Sequence, residues 1–301
     1  MRLIALLAIA VAAHAQDSTF SADVNVVNLL VAVRDKDGRF VKDLTKDDFV
    51  VQEDGRRQVI RYFSQESNLP LVIGVLVDTS CSQIRVLESE RTASYQFLDQ
   101  ILRGDDVAFV LHFDFRVGLL QGFTSSREKL AAAFHDLSRP KHCNTVLYDA
   151  IHDASEELMR NHAGRKAFVL LSDGGDDGSK NSLGTAIEFA QRADTIIYSV
   201  LFANRQMIGH PAMMAAQAIY LANGRKVMRR LARETGGGYF RVSKETPIEK
   251  IYGEIEAELR NQYSVGYTPD RPVGDKAFRK IVVSTTKNDL RVRTRAGYYP
   301  R

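Results

Sequence analysis

The sequence Leu71-Val72-Ile73-Gly74-Val75-Leu76-Val77 is an unbroken apolar run that ends at the polar stretch Asp78-Thr79-Ser80-Cys81-Ser82. A half-exposed strand alternates apolar and polar residues, whereas a strand that is buried on both faces is apolar throughout. Such strands belong to parallel sheets that helices cover on both sides. The run therefore predicts a central strand of an α/β domain, with Asp78 at its carboxyl end.

Downstream of this run, predicted strands alternate with predicted helices. The strands are expected at 107–113, 116–120, 167–171, 195–202 and 238–242, and the helices at 83–102, 126–137, 147–160, 183–193, 226–235 and 248–260. This alternation is typical of a doubly wound, mostly parallel sheet with helices on both faces, as in Rossmann-like folds. The predicted α/β domain spans residues 69–261.

The two flanks of this domain have β character. Alternating runs and the turn sequences Asp35-Lys36-Asp37-Gly38 and Asp54-Gly55 predict hairpins within residues 16–68. Strands are expected again within residues 262–301, at 263–267, 279–285 and 290–295. Because neither flank has enough strands to be stable alone, we expect them to pair into one small sandwich-like β module. The α/β domain would then be an insertion in that module.

The first residues resemble a secretory signal peptide. Arg2 precedes an apolar run at residues 3–11, and Ala13-His14-Ala15 forms a small-x-small cleavage site. We expect residues 1–15 to be removed and the protein to be exported, to the periplasm or to the outside or surface of the cell. The apolar run is too short to span a membrane, so an uncleaved anchor is the weaker interpretation.

The composition is that of an ordinary globular protein. The formal net charge of +4 is small for 301 residues, so the sequence lacks the strongly basic character of nucleic-acid-binding proteins. The only two cysteines, Cys81 and Cys143, are too few for a disulfide scaffold.

Oxygen-bearing side chains follow or precede three of the predicted elements. Asp78, Ser80 and Ser82 come directly after the first buried strand, Thr145 comes just before a helix, and Asp173 follows the strand predicted at 167–171. Ligands of doubly wound sheets bind beyond the carboxyl ends of the strands. Hydroxyl and carboxylate oxygens suit Mg²⁺, Mn²⁺ or Ca²⁺ better than zinc or copper. The alternative is that these residues only cap helices and form turns.

The pattern Asp78-x-Ser80-x-Ser82, then Thr145, then Asp173 resembles the metal-ion-dependent adhesion site (MIDAS) of von Willebrand factor type A (VWA) domains. The flanks, with 44–49 near the start and 297–299 at the end, resemble a VWA-related family of exported acidobacterial proteins. The VWA resemblance implies that Ser80, Ser82 and Thr145 are inner metal ligands and that Asp78 and Asp173 supply negative charge. It also implies that a Glu or Asp of a partner protein completes the coordination.

Three functions are compatible with this resemblance. The first, which we favour, is an adhesion or assembly module that binds a partner's carboxylate through the metal. The second is an envelope component, structural or chaperone-like, in which the metal only stabilises loops. The third is a Mg²⁺-dependent hydrolase, with His142 and His152 near the third loop. We expect no enzyme, because the sequence contains no HExxH, Walker A or GxSxG motif.

Four further features have two interpretations each. Cys81 and Cys143 lie in loops that should meet, so in an oxidising compartment they either form a disulfide or remain buried thiols. The methionines at 207, 213 and 214 either form an apolar rim or, as we favour, pack a helix onto its own domain. The acidic run 173–178 either holds a second cation or is simply solvated. The arginines at 291, 293 and 295 either bind an anionic surface or protect a solvated sheet edge.

Overall fold

The computed structural model describes residues 26–65, 69–84, 86–137, 143–202, 211–271 and 276–300. The signal peptide and cleavage site predicted within residues 1–15 lie outside these ranges, as do His142 and Met207. In the described part of the chain, no helix is both long enough and apolar enough to cross a membrane.

The described residues form strands and helices that match the predicted α/β class. The strands are β1 (Val27–Arg34), β2 (Phe49–Glu53), β3 (Arg56–Gln58), β4 (Ile60–Ser64), β5 (Leu71–Asp78), β6 (Val107–Phe113), β7 (Val117–Thr124), β8 (Arg165–Ser172), β9 (Thr195–Leu201), β10 (Tyr239–Arg241), β11 (Tyr263–Tyr267), β12 (Arg279–Thr285), β13 (Arg291–Arg293) and β14 (Gly297–Tyr298). The helices are α1 (Leu87–Ile101), α2 (Arg127–His135), α3 (Leu147–Asp153), α4 (Leu183–Arg192), α5 (Pro211–Thr235) and α6 (Ile248–Arg260).

The central sheet has the strand order β10-β9-β8-β5-β6-β7, and all neighbours are parallel except β6 and β7. Every residue of β5 is buried, as its unbroken apolar sequence predicts. Gly74 allows the aromatic rings of Phe109 and Phe168 to cross β5, since a Cβ at Gly74 would lie 2.3 Å from the first and 2.8 Å from the second. Helices cover both faces of the sheet, so the expected mostly parallel, doubly covered α/β fold is confirmed.

The flanking strands form two four-stranded antiparallel sheets, with the orders β13-β1-β11-β4 and β14-β12-β2-β3. Each sheet combines strands from the beginning and the end of the chain. Leu29, Val31, Tyr263 and Val265 are fully buried between the sheets. The chain leaves this β module after β4, forms the α/β part and returns at β11, which is the insertion that the sequence pattern suggested.

A buried ion pair joins the β module to the α/β part. Glu258 of α6 is 1% exposed and accepts hydrogen bonds from Arg34 and Arg293 of the β module. Arg295 also pairs with Asp194, which follows α4 and is half-exposed. Of the arginines at 291, 293 and 295, Arg293 is exposed, as a solvated edge requires, but it also binds Glu258, whereas Arg295 is largely covered and binds Asp194, so the expectation of a solvated or surface-binding edge is wrong for Arg295 alone.

Several element boundaries differ from those predicted. Helix α5 begins at Pro211 rather than near 226, because its alanine- and methionine-rich first half has high helix propensity despite its irregular hydrophobic pattern. Helix α1 begins at Leu87, since a short 3₁₀ turn at Cys81–Gln83 separates it from β5. The segment after the predicted turn Asp54-Gly55 contains two strands, β3 and β4, which belong to different sheets.

Candidate metal centre

The predicted site residues lie at the carboxyl edge of the central sheet. Asp78 is the last residue of β5, and Asp173 follows the last residue of the adjacent parallel strand β8. Thr145 lies two residues before the first residue of α3. Asp78, Ser80, Thr145 and Asp173 are all buried, whereas Ser82 is exposed.

The loop after β5 is folded around the Asp78 carboxylate. Oδ1 of Asp78 accepts a 3.0 Å hydrogen bond from the main-chain N–H of Ser80, and this bond curls the chain back towards the strand end. The hydroxyl oxygens of Ser80 and Ser82 are 3.1 Å apart. Two of the three predicted hydroxyl ligands therefore lie side by side next to the first predicted carboxylate.

The loop after β8 brings a second carboxylate to the same place. Ser172 donates a 2.6 Å hydrogen bond to Oδ2 of Asp78, and Asp173 Oδ1 accepts a 3.0 Å hydrogen bond from Gly175 N–H. Burial, with a smaller contribution from the negative charge of Asp173, raises the pKa of Asp78 to about 7. Neither carboxylate forms an ion pair with a basic side chain of the described chain. No basic side chain of the described chain therefore balances the negative charges of these two acids. A bound metal ion would balance them.

Two connections hold the Thr145 loop against the other two loops. Thr145 N–H donates a 2.7 Å hydrogen bond to Oδ1 of Asp177, and the carbonyl of Thr145 accepts from Asp177 N–H and Gly178 N–H, each at 3.1 Å. A disulfide joins Cys81 to Cys143, with their Cα atoms 4.8 Å apart. The hydrogen bond from Ser172 to Asp78 already joins the loop after β8 to the loop after β5. Each of the three loops is therefore bonded to both of the others.

The remaining acids of the run 173–178 are hydrogen-bonded within the loops. Oδ1 of Asp176 accepts hydrogen bonds from the N–H of Tyr148 and from the hydroxyl of Ser179. Asp177 holds Thr145, as described above. These carboxylates position the start of α3, so the alternative of a second cation in this run gains no support from the geometry.

Tyr220 is a site residue that the sequence did not indicate. Its hydroxyl donates a 3.4 Å hydrogen bond to Asp173 Oδ1, and burial together with Asp173, Asp78 and Asp177 raises the pKa of the phenol. No motif contains this tyrosine. The sequence could have indicated it only through the helix propensity of the segment that forms α5. Helix α5 approaches the loop closely at Gly224, where a Cβ would lie 2.1 Å from the carbonyl oxygen of Asp173.

The histidines near this edge have other contacts. His152 forms a 2.9 Å contact between Nδ1 and Oδ1 of Asp153, and its ring packs on Phe189. His112, which the sequence analysis did not single out, lies 3.1 Å from the hydroxyl of Thr79, and burial lowers its pKa. The Thr79 hydroxyl that contacts His112 is buried and also donates a 3.3 Å hydrogen bond to the main-chain carbonyl of Phe113, so it is not presented to a substrate.

The chemistry of the donors indicates which cation would fit. Among the described residues, no cluster of three or more His, Cys, Asp or Glu side chains has the geometry of a metal site. The candidate centre instead has two carboxylates and three hydroxyls, all of them hard oxygen donors. Such a set fits Mg²⁺, Mn²⁺ or Ca²⁺, and it offers none of the sulfur or imidazole ligands of a typical structural zinc site.

Comparison with known proteins shows similarity of fold. No protein-family model and no curated protein matches the sequence. Two structures of proximal thread matrix protein 1 from the mussel byssus, the second with a zinc-occupied MIDAS motif, align with TM-scores of 0.52 and 0.51, each at 14% identity. The alignments cover 69% and 70% of this chain and 51% and 50% of the mussel chain, so this chain spans about half the length of the mussel protein.

A third solved structure, the VWA domain of SpRpn10, aligns with a TM-score of 0.43 and 13% identity over 62% of this chain and 94% of that domain. The narrower resemblance of the flanks to exported acidobacterial proteins stays a prediction. The alignments with the mussel protein show that the six-stranded α/β part has the fold of a protein that carries a MIDAS motif, as the sequence resemblance to VWA domains implied.

Proposed function

We propose that this protein is a metal-dependent protein-binding module. Asp78, Ser80, Ser82, Thr145 and Asp173 would hold one divalent cation, with Mg²⁺ as the first choice and Mn²⁺ or Ca²⁺ as alternatives. The observation that carries the proposal is the convergence of two carboxylates and adjacent serine hydroxyls, on three mutually bonded loops, at the carboxyl edge of a parallel sheet. The zinc-occupied MIDAS motif of the mussel protein supports it.

The ligand chemistry favours binding of a partner's carboxylate. Two aspartates only neutralise a divalent cation, and the three hydroxyl ligands add no charge. A cation held in this way attracts a further carboxylate more strongly than one surrounded by three or four acids would. A Glu or Asp side chain of a partner protein has the hard oxygen donor that this requires.

Exposed apolar residues on helix α5 support a protein partner. Met213 and Ile219 are 68% and 63% exposed on the first half of α5, the helix that also brings Tyr220 to Asp173. Met213 thus does not pack onto its own domain, contrary to the interpretation that the sequence favoured. Exposed apolar groups on a helix that contacts a polar site are typical of protein interfaces.

The other functions have less support. The stabilising-metal interpretation is weakened because hydrogen bonds and a disulfide already join the three loops without any cation. The hydroxyl of Thr79, which contacts His112, is buried and bonded to a main-chain carbonyl, so we propose a binding protein rather than an enzyme. The disulfide also supports export, since such bonds persist mainly in oxidising compartments.

Metal-dependent capture from a cell-envelope extract tests the proposal. Immobilised protein should retain a partner in Mg²⁺ and release it in EDTA, and Asp173→Ala should retain none. Asp37→Ala, which changes an exposed turn residue far from the centre in sequence, is the matched control and should behave like the wild type. Capture that is equal in Mg²⁺ and EDTA would contradict the proposal.

A further inference from the structure

Both cysteines of the protein lie among the residues proposed to bind the metal. Cys81 stands between Ser80 and Ser82, at the start of the 3₁₀ turn that follows β5, and Cys143 stands two residues before Thr145. Their disulfide therefore joins the loop with two of the proposed hydroxyl ligands to the loop with the third. Hydrogen bonds join each of these loops to the loop after β8, and the disulfide joins them directly to each other.

The position of Cys81 controls the positions of two proposed ligands. Ser80 and Ser82 are its neighbours in the chain, so any displacement of Cys81 moves both serines. Their hydroxyl oxygens are 3.1 Å apart, and the disulfide holds the Cα atoms of Cys81 and Cys143 4.8 Å apart. The disulfide thus fixes the separation between the pair of serine hydroxyls and the Thr145 loop.

This arrangement matters for metal affinity because the two loops are positioned before any metal binds. A site whose ligands are already in place binds more tightly, since the free energy of ordering them is not subtracted from that of binding. Ordering the backbone of only one or two residues is enough to weaken binding by about tenfold. Without the disulfide, the cation would have to bring the two loops to a fixed separation as it binds.

The disulfide is open to attack from solvent. Cys143 is exposed and Cys81 is partly exposed, whereas Ser80 and Thr145 beside them are buried. Opening a disulfide by exchange requires a thiolate to reach one of its two sulfur atoms. A dithiol in solution can therefore approach the bond at Cys143 while the protein stays folded.

We propose that this disulfide is a redox switch for the proposed metal centre, on which the inference rests. The centre binds Mg²⁺ tightly when the bond is closed and more weakly when it is open. A dithiol reductant opens it: one sulfur of the reductant bonds to Sγ of Cys143 as the bond to Cys81 breaks, and its second sulfur then displaces Cys143. The reductant leaves as a disulfide, and its two electrons and two protons pass to the two cysteines.

Calorimetric titration of Mg²⁺ into the oxidised and the reduced full chain tests this inference. Reduction with excess dithiothreitol should weaken Mg²⁺ binding by about tenfold or more, with an unchanged far-ultraviolet circular dichroism spectrum. The matched control is Cys81→Ser/Cys143→Ser, which should bind Mg²⁺ as weakly without the reductant as with it. A reduced wild type that unfolds would overturn the inference, because the bond would then hold the whole fold rather than the centre.

Redox titration is an independent test, because the coupling between two equilibria is reciprocal. If the disulfide strengthens Mg²⁺ binding about tenfold, Mg²⁺ that saturates both states must make the disulfide about tenfold harder to reduce, a shift of about 30 mV. Thiols are counted by alkylation after equilibration in mixtures of reduced and oxidised dithiothreitol, with Mg²⁺ or with EDTA. Asp173→Ala keeps both cysteines and should show no shift, whereas Asp37→Ala should shift like the wild type.

The outcomes separate this inference from the proposed function. An oxidised wild type that binds no Mg²⁺ would contradict the proposed metal centre and the switch with it. An oxidised wild type that binds one Mg²⁺ per chain, with the same affinity after reduction and the same redox midpoint in Mg²⁺ and EDTA, would retain the centre and overturn the switch alone.

Discussion

The hydroxyl of Ser172 donates a 2.6 Å hydrogen bond to Oδ2 of Asp78 and so joins the carboxyl ends of the neighbouring strands β8 and β5. The same hydroxyl accepts a 2.9 Å hydrogen bond from Gly174 N–H. A single buried serine therefore orients the first carboxylate of the candidate centre and shapes the loop that carries the second.

Replacing Ser172 tests this role. Ser172→Ala should lower the free energy of unfolding by about 1–3 kcal/mol, because a buried carboxylate and a buried N–H both lose their partner. Ser199 on the adjacent strand β9 is a matched control, since its hydroxyl is equally buried but has no hydrogen-bond partner in the described chain. Ser199→Ala should change the stability little in the same urea titration. Equal losses in the two variants would contradict the role given to Ser172.

The disulfide between Cys81 and Cys143 closes a loop across a sequence separation of 62. A disulfide restricts the conformations of the unfolded chain. The free energy of unfolding of the double variant Cys81→Ser/Cys143→Ser should therefore be about 4 kcal/mol lower than that of the wild type. The unreduced, denatured wild-type protein should contain no titratable thiol, and reduction should release two. Two thiols before reduction would show that the loops are not joined covalently.

Replacing Gly224 should have an effect on stability that is unusual for a glycine within a helix. Replacing a helical glycine by alanine normally stabilises a protein by roughly 0.5–1 kcal/mol, and Gly253→Ala in α6 should do so because nothing lies within 4 Å of the added Cβ. Gly224→Ala should instead destabilise, since its Cβ would meet the carbonyl oxygen of Asp173 at 2.1 Å. Thermal unfolding of the two variants measures both signs. Stabilisation by both would show that α5 does not pack this closely on the loop.

The raised pKa of Asp78 gives the metal-free protein a defined pH dependence. Because the folded pKa of about 7 exceeds the ordinary value of 3.8, folding favours the protonated acid, and this contribution to stability is lost as pH rises from about 4 to 7. Asp173, Tyr220 and Ser172 face this carboxylate, and the nearby His112, whose pKa is lowered, contributes with the opposite sign. Unfolding of the wild type should therefore be compared with that of Asp78→Asn.

We expect the stability of the metal-free wild type, relative to Asp78→Asn, to fall between about pH 4 and pH 7 and to change little at higher pH. Saturating Mg²⁺ should reduce this fall, because the cation stabilises the ionised carboxylate. A wild type and an Asp78→Asn variant with the same pH dependence would contradict the assignment to Asp78.

The sequence predicted the α/β class because the apolar run that ends at Asp78 admits few other structures. It also predicted which three loops meet, because strand ends of a parallel sheet share one edge. The first half of α5 was mispredicted, since its alanines and methionines lack the hydrophobic period that defines a surface helix. Tyr220 was missed for the same reason. The contacts of Arg293 and Arg295 depend on how the β module packs against α4 and α6, which local sequence patterns do not encode.

Calorimetric titration of Mg²⁺ and Mn²⁺ into the metal-free protein tests the central claim most directly. We expect the wild type to bind one cation per chain, and Ser80→Ala, Thr145→Ala and Asp173→Ala, one variant for each loop, each to weaken binding by about tenfold or more. Asp37→Ala should bind like the wild type. A wild type that binds neither cation, or a variant of any one loop that binds as tightly as the wild type, would show that the three loops do not share a metal ion.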